Sequence, residues 1–327
     1  MGHRKHGQPR RGSLAYLPRG RAGSMEARIR AWPKLNKEEP QILAHCGFKA
    51  GCVQIVSIDD RDKTPNAGKQ LVSLGTVLVT PPVLVLGIRG YSKNHDGLHA
   101  EFDIYAEDIP KNIAKEIILK NKNPEMETNL KKIKEIFALV AVSPRAAGLE
   151  QKKPYVFEAL VSGTGIQQRF EYVKEFLGKE IKFNQIFETG ASVDVAAITK
   201  GKGWQGVIQR YGAKKKQHKS RKTVRELGSL GPISPQYVMY TVPRAGQMGF
   251  HQRTEYDKRI MIIGNTKNDK IEINPAGGYK HFGMVKGDYV ILKGSVPGTY
   301  RRLIKMRSQI RNVPAKISKP NILEVIV

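Results

Sequence analysis

Between Thr199 and Ile260 about sixty residues run with little apolar periodicity and many Gly, Lys and Arg, flanked on both sides by strand-like segments. A stretch of that length cannot belong to a packed core. It has to leave a folded body and return to it, so the body must be assembled from strands far apart in the sequence. A structureless stretch of that length is unusual inside a compact domain, so either it is functional or the assignment of elements is wrong, and we read it as functional.

Its charge says what for. The 327 residues carry 56 Lys and Arg against 29 Asp and Glu, a net +27. The excess is concentrated. Residues 1–34 hold nine basic residues and one acid, Glu26, residues 195–225 hold ten and no acid, and residues 289–319 hold eight and no acid. The remainder is close to neutral. Uncompensated like charges repel one another, and a polyanion removes that cost while releasing its own counterions. Nucleic acid is therefore the expected partner. A membrane is not: the basic runs lack apolar residues at helical spacing, and the longest apolar run, residues 76–88, is broken by Pro81 and Pro82 and falls short of a span. The basic N-terminus does not read as a secretory signal. Two cysteines, Cys46 and Cys52, form no disulfide framework and point to a reducing, intracellular setting.

Along the chain, residues 1–40 are rich in Gly, Pro and Arg and are expected to be extended and disordered without a partner. Strands are expected over residues 53–58, 71–79 and 83–91, with a turn at Asn94–Gly97. A first helix is expected after Asp108, with Ile113, Ile117 and Ile118 on one face. A second follows Asn123 and Pro124, with Leu130, Ile133, Ile136 and Phe137 at helical spacing, and a third spans residues 166–177. Strand-like runs appear at 139–142, 155–161, 193–199, 260–264, 288–294 and 323–327.

Catalytic motifs are weak. Gly201, Gly203 and Gly206 fit G-x-G-x-x-G, but no amphipathic helix opens there, so the glycines are better suited to close approach of phosphates. The phosphate-cradling lysine loop is absent. His45, Cys46 and Cys52 lack a usual zinc spacing. Asp59, Asp60 and Asp62 could hold Mg²⁺ in an RNA-processing enzyme, the rival reading, but suit a solvated turn better. A third reading, a DNA-compacting protein, would show little preference for RNA. Residues 244–254 mix Arg244, Gln247, Phe250, His251 and Arg253 with glycines and no core face, a composition suited to folded RNA.

These residues carry a family likeness. RAGQMGFHQRTEYDKRI, ITKGKGWQGVIQRYGAKKK and NPAGGYKHFGMVKGDYVILKGSVPG resemble large-subunit ribosomal protein three, of the archaeal type, and so do the N-terminal GHRKHGQPRRGSLAYLPR and GFKAGCVQIV. The resemblance covers nearly the whole chain. It implies a mainly β fold with an α insertion: a closed β-barrel of the translation-protein type, a long basic internal loop or finger, and an extended N-terminal arm. On this chain the arm would be residues 1–40 and the barrel 41–105, 191–199 and 259–327. The α/β helical insertion would be 106–190 and the finger 200–258.

The resemblance also implies a non-catalytic, cytoplasmic component of the large ribosomal subunit. It would bind large-subunit rRNA near the 3′ end, help nucleate assembly and reach towards the peptidyl-transferase centre. Neighbours would be the family's usual fourteenth and twenty-fourth large-subunit proteins, with elongation factors nearby. No cofactor is expected beyond Mg²⁺ carried by the rRNA. The rRNA contacts would come from Arg4, Lys5, Arg10, Arg11, Arg19 and Arg21 in the arm. In the finger they would be Lys200, Lys202, Trp204, Arg210, Lys214, Lys215, Lys216, Arg221, Lys222, Arg225, Arg244, Gln247, His251 and Arg253, and in the barrel Arg301 and Arg302. The finger tip would be Gly231, Pro232, Ile233, Ser234 and Pro235. Three positions depart from the family's pattern. Ile233 stands where a Trp is common, Val224 where eukaryotic members carry a modified His, and Cys52 where a Met is usual.

Overall fold

The computed structural model describes residues 11–35, 39–115, 130, 132–269, 271–311 and 318–327. The chain divides into two compact units, Met1–Met25 with Ile198–Gln252, and Glu26–Ala197 with Arg253–Val327. It is mainly β, and no described helix is long and apolar enough to cross a membrane.

The larger unit holds two sheets. The first is built on β2 (Ala44–Ile58), whose fifteen residues serve several partners. One edge pairs with β3 (Gln70–Val79) along its length. The other edge pairs with β14 (Leu303–Ser308) over its first half and with β15 (Ile322–Ile326) over its second. From β3 the pairings continue through β13 (Asp288–Lys293), β12 (Gln252–Asn265) and β9 (Ser192–Ile198) to β14, and so return to β2 in a ring. Phe48, Val77, Ile291, Leu292, Ile304 and Met306 on its strands are all fully buried. A register shift at Lys49–Gly51 bends β2. A Cβ on Gly51 would overlap the ring of Tyr279, so glycine there lets that aromatic lie against the strand.

The second sheet runs β1 (Gln41–Ile42), β7 (Tyr155–Ser162), β6 (Glu135–Val142), β4 (Val83–Asn94), β5 (Gly97–Tyr105), with β8 (Glu180–Ile181) on the end of β4. Residues 41–42 and 83–105, which lie in the segment 41–105 expected in the barrel, pair in this sheet rather than in the ring. Helix α2 (Ile166–Glu175) covers one face with Phe170 and Val173. Leu84, Leu86, Leu139 and Ala141 make a separate apolar cluster.

Two expectations change. Ile136 and Phe137 belong to strand β6, not to a second helix. They open a short continuous apolar run, which periodicity alone leaves ambiguous between helix and strand, and burial between β4 and β7 decides for the strand. The first helix, described as α1 (Lys111–Ala114), is entered through Pro110 rather than capped by Asp108. Ile117, Ile118, Asn123 and Pro124 lie outside the described residues.

Residues 26–35, expected to be part of a disordered arm, are packed onto the larger unit. Ala27 is buried and Trp32 meets Phe137 edge-on at 5.9 Å. Glu26 sits 3.5 Å from Lys305 Nζ, and Arg307 donates to the Ala31 carbonyl. Two of the eight cations of the third basic run are thus structural: Lys305 and Arg307 face inward and are neutralised by Glu26 and Asp194. Lys305, with its ammonium 4.8 Å above the Phe157 ring, has its pKa lowered by burial.

Candidate nucleic-acid interface

The smaller unit contains most of the cations singled out in the sequence. Its base is a short two-stranded ribbon, β10 (Trp204–Gln205) against β11 (Gly246–Gln247), with helix α3 (Val207–Tyr211) following β10. The glycine-rich turn before β10 is tied to the far end of the loop by two bonds, Lys202 N–H to Met248 O and Met248 N–H to Gly203 O, each 2.9 Å. Gly249 takes φ +74°, and a Cβ there would overlap the Lys200 carbonyl. Only glycine therefore lets the two ends of the excursion lie this close.

Three of the expected RNA contacts are used inside this base. Arg210 donates Nε–H to Gln247 O at 3.0 Å and Nη1–H to Arg244 O at 2.9 Å. The Gln247 amide donates to Gly249 O at 3.0 Å. His251 is buried, its Nδ1 donating to Gly20 O at 2.8 Å and its backbone N–H to Thr199 Oγ1 at 3.2 Å. With Ala22 N–H bonded to Phe250 O, the last of these contacts ties residues 20–22 to the loop base. Arg19 lies over the Tyr211 ring at 4.4 Å and Arg210 at 5.2 Å. Tyr211 and Thr199 were not singled out from the sequence, where nothing marks them, or Phe250, as the partners of residues 19–22.

The other cations face solvent. Arg11, Arg21, Lys200, Lys202, Lys214, Lys215, Arg221, Lys222, Arg225 and Arg244 are exposed, and Lys216 is half-buried, 3.9 Å from Glu226. Arg253 is half-buried at the start of β12. Trp204 projects with 77% of its surface free, and Ile233 at the expected tip with 90%. Residues 227–243 contain no charged side chain, so the loop's charge sits beside its base and its tip is uncharged and partly apolar. Arg4, Lys5 and Arg10 lie outside the described residues. In the larger unit, Arg301 is exposed and Arg302 half-buried, with its pKa lowered by burial.

Two of the three carboxylates of the enzyme reading, Asp59 and Asp60, are already engaged. Asp59 accepts two bonds from Arg61, at 2.8 and 2.9 Å, and one from Thr64, which hold its carboxyl down to about 2. Asp60 is bonded by Arg259 and Ser318, which depress it further. Among the described residues no group of His, Cys, Asp and Glu is arranged for a metal ion. His45 and Cys46 are buried in β2; the His45 Nδ1 donates to the Cys46 carbonyl at 2.8 Å, and burial lowers its pKa to about 4.

Comparison with known proteins agrees with this arrangement. A family model described as ribosomal protein L3 matches residues 1–326. The large ribosomal subunit protein uL3 of Methanothermobacter thermautotrophicus is 37% identical over 327 residues, 97% of this chain and 96% of its own. That of Methanopyrus kandleri is 40% identical, covering 95% and 87%, and that of Methanococcus vannielii 39%, covering 98% and 97%. The chain belongs to the ribosomal protein L3 family, and is a structural, non-enzymatic protein of the large ribosomal subunit.

Proposed function

We propose that the chain binds large-subunit rRNA near its 3′ end, acts early in subunit assembly, and extends residues 200–258 as a finger towards the peptidyl-transferase centre. The ring of strands would be the closed barrel of the translation-protein type, and residues 1–25 an arm lying along RNA. The observation that carries this reading is a loop base fixed by its own hydrogen bonds beneath a dense set of exposed Lys and Arg with scarcely an acid among them. A pre-ordered base lowers the conformational cost of placing those cations on phosphates. Their charge supplies affinity through counterion release.

Arg210, Gln247 and His251 then act by shaping the base, while Lys200, Lys202, Lys214, Lys215, Arg221, Lys222 and Arg225 meet phosphate. Trp204 is free to stack on an unpaired base. The tip, with Ile233 in place of an aromatic residue, offers apolar contact without stacking. Neighbours are the fourteenth and twenty-fourth large-subunit proteins, elongation factors dock nearby, and the particle is cytoplasmic. No resident cofactor is needed; Mg²⁺ would arrive with the rRNA.

Sedimentation of cell lysate on sucrose gradients at low and high salt tests this. The chain should travel with the large subunit and stay there in high salt. A chain that remains at the top, or leaves readily with salt, would point instead to a transient RNA-binding factor.

A further inference from the structure

In the larger unit, residues 274–287, the second part of the connection between β12 and β13, and residues 294–302 between β13 and β14 contain no acidic residue. They meet at their tips, where the rings of His281 and Tyr300 lie 6.3 Å apart, inclined by 39°. Both are held rigidly from below. Buried Tyr279 donates its hydroxyl to the Ile273 carbonyl. Lys49 Nζ reaches across to the carbonyls of Val296 at 2.5 Å and Gly298 at 3.4 Å, and Arg301 N–H donates to Lys49 O at 2.9 Å.

Two of the described non-glycine residues with left-handed backbone fall here, His281 at φ 67° and Arg301 at φ 65°. That conformation is disfavoured for such side chains and persists where the surroundings impose it, recurrently at ligand clamps. Here it holds an imidazole and a guanidinium out in solvent, beside exposed Lys280 and Tyr300.

We propose that this platform takes one unpaired nucleotide of an RNA, its base stacked on Tyr300 and His281 and its flanking phosphates met by Arg301 and Lys280. Cations alone would serve an acidic peptide or the outside of a duplex. Exposed aromatic rings at the same spot match a base that has left its stack. The inference rests on the chain being an rRNA-binding protein, and adds to the expected contact at Arg301 a site for an unpaired base.

The test is short-wave ultraviolet crosslinking of the full-length chain assembled with large-subunit rRNA, followed by mass spectrometry of the peptides. A nucleotide attached to Tyr300 or His281 is expected. Tyr300→Ala should abolish that crosslink and weaken rRNA binding on the order of tenfold, while Tyr300→Phe retains both. Lys280→Gln should lower the salt dependence of binding by about one phosphate contact. Crosslinks confined to residues 11–25 and 198–252, with Tyr300→Ala binding as the parent does, would overturn the platform and leave the broader reading standing. So would attachment of these residues to a neighbouring protein, or loss of the crosslink to competing AMP, which would mark a free-nucleotide site. A chain that binds no rRNA at all would remove both.

Discussion

Asp194 and Arg307 form an ion pair at 3.0 Å with both side chains buried, and the acid does more than neutralise the base. Its two oxygens also accept the backbone N–H groups of Asp257 and Ile310, at 3.1 Å each. One carboxylate thus joins β9, β12 and β14. Asp194→Asn would leave the guanidinium buried without a counter-charge and should cost about 3–5 kcal/mol. Denaturant unfolding measures it, and a loss under about 1 kcal/mol would show that Arg307 finds another partner.

Acid should weaken the fold through His45. Its folded pKa is about 4 against an ordinary 6.5, so below 6.5 the unfolded chain takes up a proton that the folded chain refuses. The stabilisation is complete above pH 6.5 and lost as pH falls towards 4, up to about 3 kcal/mol. Unfolding midpoints at pH 7 and pH 5 should differ more in the parent than in His45→Leu. Equal differences would mean that the imidazole is protonated in place.

Gly249→Ala should loosen the loop base alone. The left-handed φ and the overlap with the Lys200 carbonyl cost more than about 1 kcal/mol locally. Hydrogen exchange should quicken at the amides of Lys202 and Met248 while β2, β3 and β13 keep their protection. Unchanged exchange at those two amides would show that the base is held by other contacts.

Excising residues 213–243 should separate folding from assembly. The ends of this stretch are already close, since Arg210 bonds the Arg244 carbonyl, so a short Gly-Ser linker can replace it. The variant should unfold at the parent's temperature yet yield fewer mature large subunits. Parental subunit levels would remove the loop from assembly.

Binding to large-subunit rRNA should fall steeply with salt, by on the order of 10³–10⁵ between about 50 and 200 mM if about ten phosphates are neutralised. Replacing Lys214, Lys215, Arg221, Lys222 and Arg225 by Gln should reduce the log–log slope by about 3–4. A slope unmoved by all five changes would place the electrostatic contact elsewhere.

What the sequence disclosed follows from how local each signal is. Residues 71–79 and 83–91 announce themselves as strands because they are apolar runs rich in Val, Ile and Leu, and residues 75–79 and 83–88 are buried on both faces. β14 hides, because Lys305 and Arg307 make LIKMRS look like part of a basic surface run. The acids that turn it inward, Glu26 and Asp194, are 279 and 113 residues away, and no local pattern reports so distant a partner. The same limit applies to the interface. Its residue types were legible, including Arg210, Gln247 and His251, but not that these three bond to the protein's own carbonyls. His281 and Tyr300 lay unnoticed because neither loop shows alone what the two make together.

The ring closes where β14 meets β2, and these strands stand some 250 residues apart in the chain. A ribosome adding roughly 5–20 residues per second would make the first strand wait tens of seconds for the last. For all that time the apolar edge of β2, and the segment at residues 26–35 that later grips Lys305 and Arg307, have nothing to hold. The newborn chain is therefore a long-lived, sticky polycation, and its survival depends on whatever shields it between synthesis and closure.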